Sequence, residues 1–144
     1  EWGTERQAAH LEKLNEGQRA AVVHGLDLPE GKSAGPLLII AGAGSGKTNT
    51  LAHRVAQLII SGADPRRILL MTFSRRAASE MGKRVERICA KVFGDKADVM
   101  TDALAWSGTF HGIGAILREY AIELGLDPQF TIQGSEQELL KIVR

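Results

Sequence analysis

The sequence predicts an α/β fold built on a parallel sheet, and three observations carry that prediction. Short apolar runs at residues 37–40 and 68–73 are each followed by a stretch of helical periodicity. The connections between them are short, so parallel strands would be joined by right-handed crossovers through the helices. A glycine-rich stretch at residues 41–48 joins the first run to the first of these helices, the arrangement of a loop that faces a ligand. With 144 residues, 44% apolar and 24% charged, the chain has the size and make-up of one globular domain.

Each element has its own signal. Residues 4–14 have weak helical character. Asn15, followed three residues later by Gln18, predicts a capping pair for a helix through Ala20, Ala21 and Val22 that ends at Gly25. Residues 25–35 hold Pro29, Gly31 and Ser33 and read as a loop. Pro36 opens Leu37, Leu38, Ile39 and Ile40, a run too short for a helix and suited to a strand buried on both faces. Leu51, Val55, Leu58 and Ile59 recur at helical spacing, and Gly62 stands where a C-terminal cap is expected.

The second unit runs the same way. Residues 68–73 form a strand, and Ser74 caps a helix with Ala77, Ala78, Met81, Val85, Ile88, Cys89 and Val92 on one face, ending near Gly94. Residues 95–102 are irregular, and residues 104–107 read as a third short strand. A helix over residues 110–124 is expected to bury Ile113, Ile116, Leu117, Tyr120 and Leu124 before Gly125 and Pro128 stop it. Residues 130–132 are extended at best, and Ser135 with Glu138 predicts a capping box for a last helix through Val143.

Composition excludes several classes. A lone Cys89 leaves no internal disulfide and no cysteine-based zinc site, and a reducing compartment is its natural reading. No apolar run approaches the roughly 20 residues of a membrane-spanning helix. Residues 1–16 are polar and mixed in charge, unlike a signal peptide. The formal net charge is +1, but residues 66–91 hold eight basic side chains against Glu80 and Glu86, so the remainder is net acidic. An anionic partner would bind there.

Ala41-Gly42-Ala43-Gly44-Ser45-Gly46-Lys47-Thr48 carries the chemistry. It matches the phosphate-binding loop G-x-x-x-x-G-K-[ST] at its last three positions, with Ala41 in place of the first glycine. Between a strand and a helix start, such a loop turns backbone N–H groups inward, and glycines let the chain pass close to phosphate oxygens. Lys47 supplies a cation to the β and γ phosphates, and Thr48 a hydroxyl ligand to Mg²⁺. A simple strand-to-helix turn is the plainer alternative.

With its continuation Asn49-Thr50-Leu51-Ala52-His53-Arg54-Val55, this segment resembles the first ATPase motif of the UvrD/Rep/PcrA branch of superfamily 1 DNA helicases. Three further segments resemble that family's motifs in the family's order. Leu14 to Gln18 is similar to its Q motif, Thr72 to Met81 to motif Ia, and Thr109-Phe110-His111 to motif Ib. Phe130, Thr131 and Ile132 with the capped helix after them resemble the start of its 1B insertion. The resemblance implies a RecA-like P-loop NTPase sheet flanked by helices and incomplete in this fragment. Residues 1–112 would belong to ATP-binding domain 1A and residues 113–144 to the helical 1B insertion.

By the same resemblance, ATP and Mg²⁺ are the cofactors, and Gln18 would read the adenine edge. Single-stranded DNA and duplex junctions are the partners, contacted by Thr72, Phe73, Ser74, Arg75, Arg76, Thr109, Phe110 and His111. Phe73 could stack on a base while Ser74, Arg75 and Arg76 approach phosphates. The family's usual Thr-Asn-Lys at positions 74 to 76 is replaced here. The implied setting is bacterial and cytoplasmic, without a membrane, in replication or repair.

Plainer readings stand beside these. Gln18 can be no more than the partner of Asn15, Phe73 a core aromatic, Thr109 a helix cap and His111 a surface residue. Lys83, Arg84, Arg87 and Lys91 read as a solvated helix face on which Glu80 pairs with Lys83 or Arg84. Arg54 reads as one half of an ion pair, and His10, His24 and His53 show no metal-ligand spacing.

Hydrolysis needs a carboxylate on Mg²⁺ and a group to orient water, which the family draws from an Asp-Glu pair. No adjacent Asp-Glu occurs in the sequence. The chain begins at Glu1 and stops at Arg144, so the expectation is an amino-terminal fragment lacking the carboxyl-terminal domains. It would bind nucleotide weakly and neither hydrolyse ATP efficiently nor unwind DNA. A P-loop kinase or phosphotransferase, or a non-catalytic nucleotide-binding module, is the alternative.

Overall fold

In a computed structural model, residues 9–29, 32, 34–96 and 107–130 are described. Helix α1 spans Glu16–Val23. Its start is the capping pair expected from sequence: the Gln18 N–H donates to Asn15 Oδ1 at 2.9 Å, and the Asn15 N–H donates to Gln18 Oε1 at 3.1 Å. Helix α2, Lys47–Ile60, begins directly at the glycine-rich loop and ends with Ser61 and a left-handed Gly62 at φ 98°. Strand β1, Leu70–Thr72, leads into α3, Arg75–Phe93, whose Ser74 hydroxyl accepts from the Ala77 N–H. Strand β2, Ser107–Thr109, passes into α4, Phe110–Leu117, followed by a 3-10 turn at Arg118–Tyr120.

The sheet is parallel, as predicted, and among the described residues it has two strands. Leu70, Met71 and Thr72 lie opposite Ser107, Gly108 and Thr109. The core forms where α2 and α3 pack together over β1. It takes Ala52, Val55, Ala56 and Ile59 from α2, Leu70 from β1, and Met81, Val85, Ile88 and Cys89 from α3. Burying a side chain such as Ile59 or Val85 stabilises the fold by about 1.5–3 kcal/mol each. Burial also pushes the Cys89 thiol up to about 11, which keeps it protonated and unreactive.

Several expectations change. Residues 37–40 form no strand, and Leu38 and Ile40 are 81% and 87% exposed. An apolar run becomes a strand only when a neighbour takes its backbone N–H and C=O groups, and no described strand lies beside this one. A strand is present at Ser107–Thr109, and of the strand expected over residues 104–107 only Ser107 lies among the described residues. The helix expected over residues 110–124 stops at Leu117, and of its five expected core residues only Ile113 is buried; Tyr120 and Leu124 are exposed. Among the described residues Arg54 pairs with no carboxylate. It caps α1 instead, donating to the carbonyls of Ala21, Val22 and His24. Glu80 pairs with Arg76, not with Lys83 or Arg84. Expectations for residues 4–8, 97–106 and 131–144 lie outside the described residues. Among the described residues, no helix is long and apolar enough to cross a membrane.

Candidate functional site

The loop between residues 41 and 46 turns on glycines. Gly44 and Gly46 adopt left-handed backbone at φ 74° and 81°, which side chains other than glycine resist. The Ser45 hydroxyl donates to the Gly42 carbonyl at 2.6 Å and braces the turn. Gly46 then stands as N-cap of α2 without a side-chain partner, so the N–H groups of the first turn point toward the loop. Lys47 Nζ folds back over the same loop, donating to the Ala41 and Gly42 carbonyls at 2.7 and 3.1 Å. Lys47 and Thr48 are both exposed.

Gln18 ties α1 to this loop. Its Nε2 donates to the Ser45 carbonyl at 3.1 Å while its Oε1 holds the Asn15 N–H. One amide hydrogen and one lone pair remain for another partner. A cavity of about 510 Å³ lies between α1, residues 37–41 and the loop, with Gln18, His24, Ser45 and Lys47 in its wall. It has an apolar side from Leu37, Leu38 and Ile39 and a cationic end at Lys47. That is the polarity of a planar base followed by a phosphate chain. The cradle fits a polyphosphate: a Cβ placed on Gly42 or Gly44 would meet nothing within 4 Å, so the loop concavity is open. Among the described residues no group of three or more His, Cys, Asp or Glu could hold a metal ion. The Thr48 hydroxyl stands exposed in the first turn of α2, beside the loop.

The second cluster sits at the carboxyl ends of the two strands. Phe73, just past β1, is 95% exposed, so the plainer reading of a core aromatic is wrong. Its ring lies 5.4 Å from that of Phe110, centroid to centroid, at 43°, and Phe110 is itself 48% exposed. Leaving two phenyl rings in water costs burial energy, and two adjacent open faces suit stacking. Arg75 and Arg76 are exposed beside them, Arg76 bound to Glu80 at 3.2 Å. Thr72 is buried, its hydroxyl donating toward the Ser74 and Gly108 carbonyls. The Ser74 and Thr109 hydroxyls cap α3 and α4, and His111 is exposed. The two strand ends thus bring Phe73 and Phe110 together, with the exposed Arg75, Arg76 and His111 close by along the chain, while Thr72, Ser74 and Thr109 hydrogen-bond to the backbone.

Two side chains that sequence reasoning set aside meet in the interior. His10 and His53 stack with centroids 5.1 Å apart, and their Nδ1 atoms lie 2.9 Å from each other. Gln57 Oε1 can only accept, so His10 Nε2 carries a hydrogen and His10 Nδ1 accepts from the Nδ1–H of His53. Burial, with the neighbouring His10, Lys91, Arg84 and Lys13 adding to it, pushes His53 down to about 4. The only sequence signal for this pair is the helical register that sets His53 one turn before Gln57.

Comparison with known proteins identifies the chain by residues 14–144, which match the UvrD/REP helicase N-terminal domain family. Over 100 residues, 68% of this chain, it is 45% identical to the ATP-dependent DNA helicase PcrA of Staphylococcus aureus strain COL. It is likewise 45% identical over 100 residues to the protein of that name from Staphylococcus epidermidis. The chain spans about 12% of the length of these relatives.

Proposed function

Because this chain belongs to the UvrD/REP helicase N-terminal domain family, we propose that it is the nucleotide-binding part of an ATP-driven motor on single-stranded DNA. The observation that carries the reading is the pairing of an open glycine loop with Lys47 at the mouth of α2, clamped by Gln18. Loop amides and Lys47 would bind the phosphate chain, and Thr48 would give a hydroxyl to Mg²⁺. Gln18, already held in plane by Asn15 and Ser45, has the free donor and acceptor that an adenine edge requires. When bound, Mg²⁺ would neutralise charge on the transferring phosphate.

DNA would lie across the strand ends. Phe73 and Phe110 would stack on bases, and Arg75, Arg76 and His111 would face the backbone. Both sites hang from α2, β1 and α3, which share one core, and that core is the route by which a shift at the loop would reach the aromatic pair. The reading carries with it a RecA-like fold, a division between residues 1–112 and 113–144, duplex unwinding and a bacterial cytoplasmic setting. This sequence holds no adjacent Asp-Glu to supply the carboxylate on Mg²⁺ and the group that orients water.

The test is ATP hydrolysis by the intact protein with and without single-stranded DNA. Stimulation by DNA, abolished in Lys47→Ala, is the expected result. Hydrolysis indifferent to DNA, or surviving in Lys47→Ala, refutes the motor.

A further inference from the structure

A second cavity, about 560 Å³, lies away from the glycine loop, against the other side of α2. Its wall brings His10 and Lys13 from the turn before α1, His53 from α2, and Arg84, Arg87 and Lys91 from α3. Among the described residues no carboxylate lines it. Residues 84, 87 and 91 share one helix face because they are three and seven positions apart. Among the described residues the ion pairs are Arg66 with Asp64 and Arg76 with Glu80, so none of the four cations here has a carboxylate partner.

Four like charges around one concave surface repel one another, and the low-dielectric wall strengthens the field inside. Burial chiefly, with this field adding to it, holds the two imidazoles neutral at physiological pH, in line with the lowered His53 and His10. The field also turns away a divalent cation, despite two histidines in contact. Arg87 Nε donates to the Lys83 carbonyl at 3.2 Å, which steadies its guanidinium while leaving the outer N–H groups free. Asn49 adds an amide donor at the rim. Guanidinium forks and ammonium groups together match the oxygens of phosphate better than a single carboxylate, which would leave most of the charge uncompensated.

We propose that this cavity is a second phosphate-binding site, separate from the glycine loop, that takes linked phosphate groups through Lys13, Arg84, Arg87 and Lys91. The solvated helix face expected from sequence is thereby one wall of a site. The linked phosphates belong either to a free polyphosphate or to the backbone of a nucleic-acid strand. The inference is independent of whether the loop binds ATP.

The test is calorimetric titration of the intact protein in a Lys47→Ala background, which silences the loop, using metal-free sodium tripolyphosphate and then a short single-stranded oligonucleotide. Arg84→Gln/Arg87→Gln/Lys91→Gln should weaken tripolyphosphate by about tenfold or more. A control with equal charge loss outside the cavity, Lys32→Gln/Arg67→Gln/Lys96→Gln, should leave it within about twofold. Lys13→Gln, on the opposite wall, should weaken it on its own and serves if the triple variant fails to fold. Loss for both ligands assigns the site to a strand backbone; loss for tripolyphosphate alone assigns it to free polyphosphate. Equal loss in the control, or binding unchanged in both the triple variant and Lys13→Gln, overturns the site.

Discussion

Arg54 Nη1 lies 2.8 Å from the His24 carbonyl oxygen and reaches the carbonyls of Val22 and Ala21 at 2.9 and 3.2 Å. One guanidinium from α2 thus closes the carboxyl end of α1, where orphan carbonyls and the helix dipole favour a cation. The amino end of α1 carries Gln18, so Arg54 fixes the helix that reaches the glycine loop. Arg54→Met should cost about 1.5–3 kcal/mol in chemical denaturation. It should also weaken nucleotide binding without removing any group from the phosphate cradle.

Lys47→Ala should lower ATP turnover of the intact protein by about 10²–10³-fold, measured as steady-state hydrolysis, with little change in melting temperature. Lys47 is exposed and touches only its own loop, so the fold loses almost nothing.

Gly46→Ala should be worse for stability than its size suggests. The position has φ 81°, and a Cβ would stand 2.9 Å from Gln18 Nε2, so strain and a displaced Gln18 arrive together. A cost of about 1–3 kcal/mol, with weaker nucleotide binding, is expected from paired melts and titrations. Gly42→Ala meets open space and should be tolerated far better.

Phe73→Ala should weaken binding of single-stranded DNA by about 1–3 kcal/mol in a fluorescence titration. Because the ring is 95% exposed, the melting temperature should hold or rise. A fall in stability with DNA affinity unchanged would make Phe73 a structural residue.

His53 gives a pH dependence with a definite sign. Its folded value is depressed to about 4 from an ordinary 6.5. Between those limits the unfolded chain binds more protons than the folded one, so stability is full above about pH 6.5 and falls as pH drops toward 4. Thermal melts at pH 7.5 and 5 should show the loss, and His53→Gln should show a smaller one.

What the sequence determined is whatever depends on neighbours a few residues apart. The Asn15–Gln18 cap, the Ser74 cap, the amphipathic face of α3 and the glycine loop are local in cause, since i to i+3 hydrogen bonds and left-handed backbone need no distant partner. Tertiary structure decided the rest. Whether residues 37–40 become a strand depends on a hydrogen-bonding neighbour, and exposure of Phe73 depends on what covers the strand end. Arg54 found carbonyls 30 to 33 residues away. The meeting of His10 with His53, and of Lys13 with the basic face of α3, follows from how α2 and α3 pack. Composition cannot register that convergence, because the energy of a charge or an unpaired backbone group depends on what surrounds it in space.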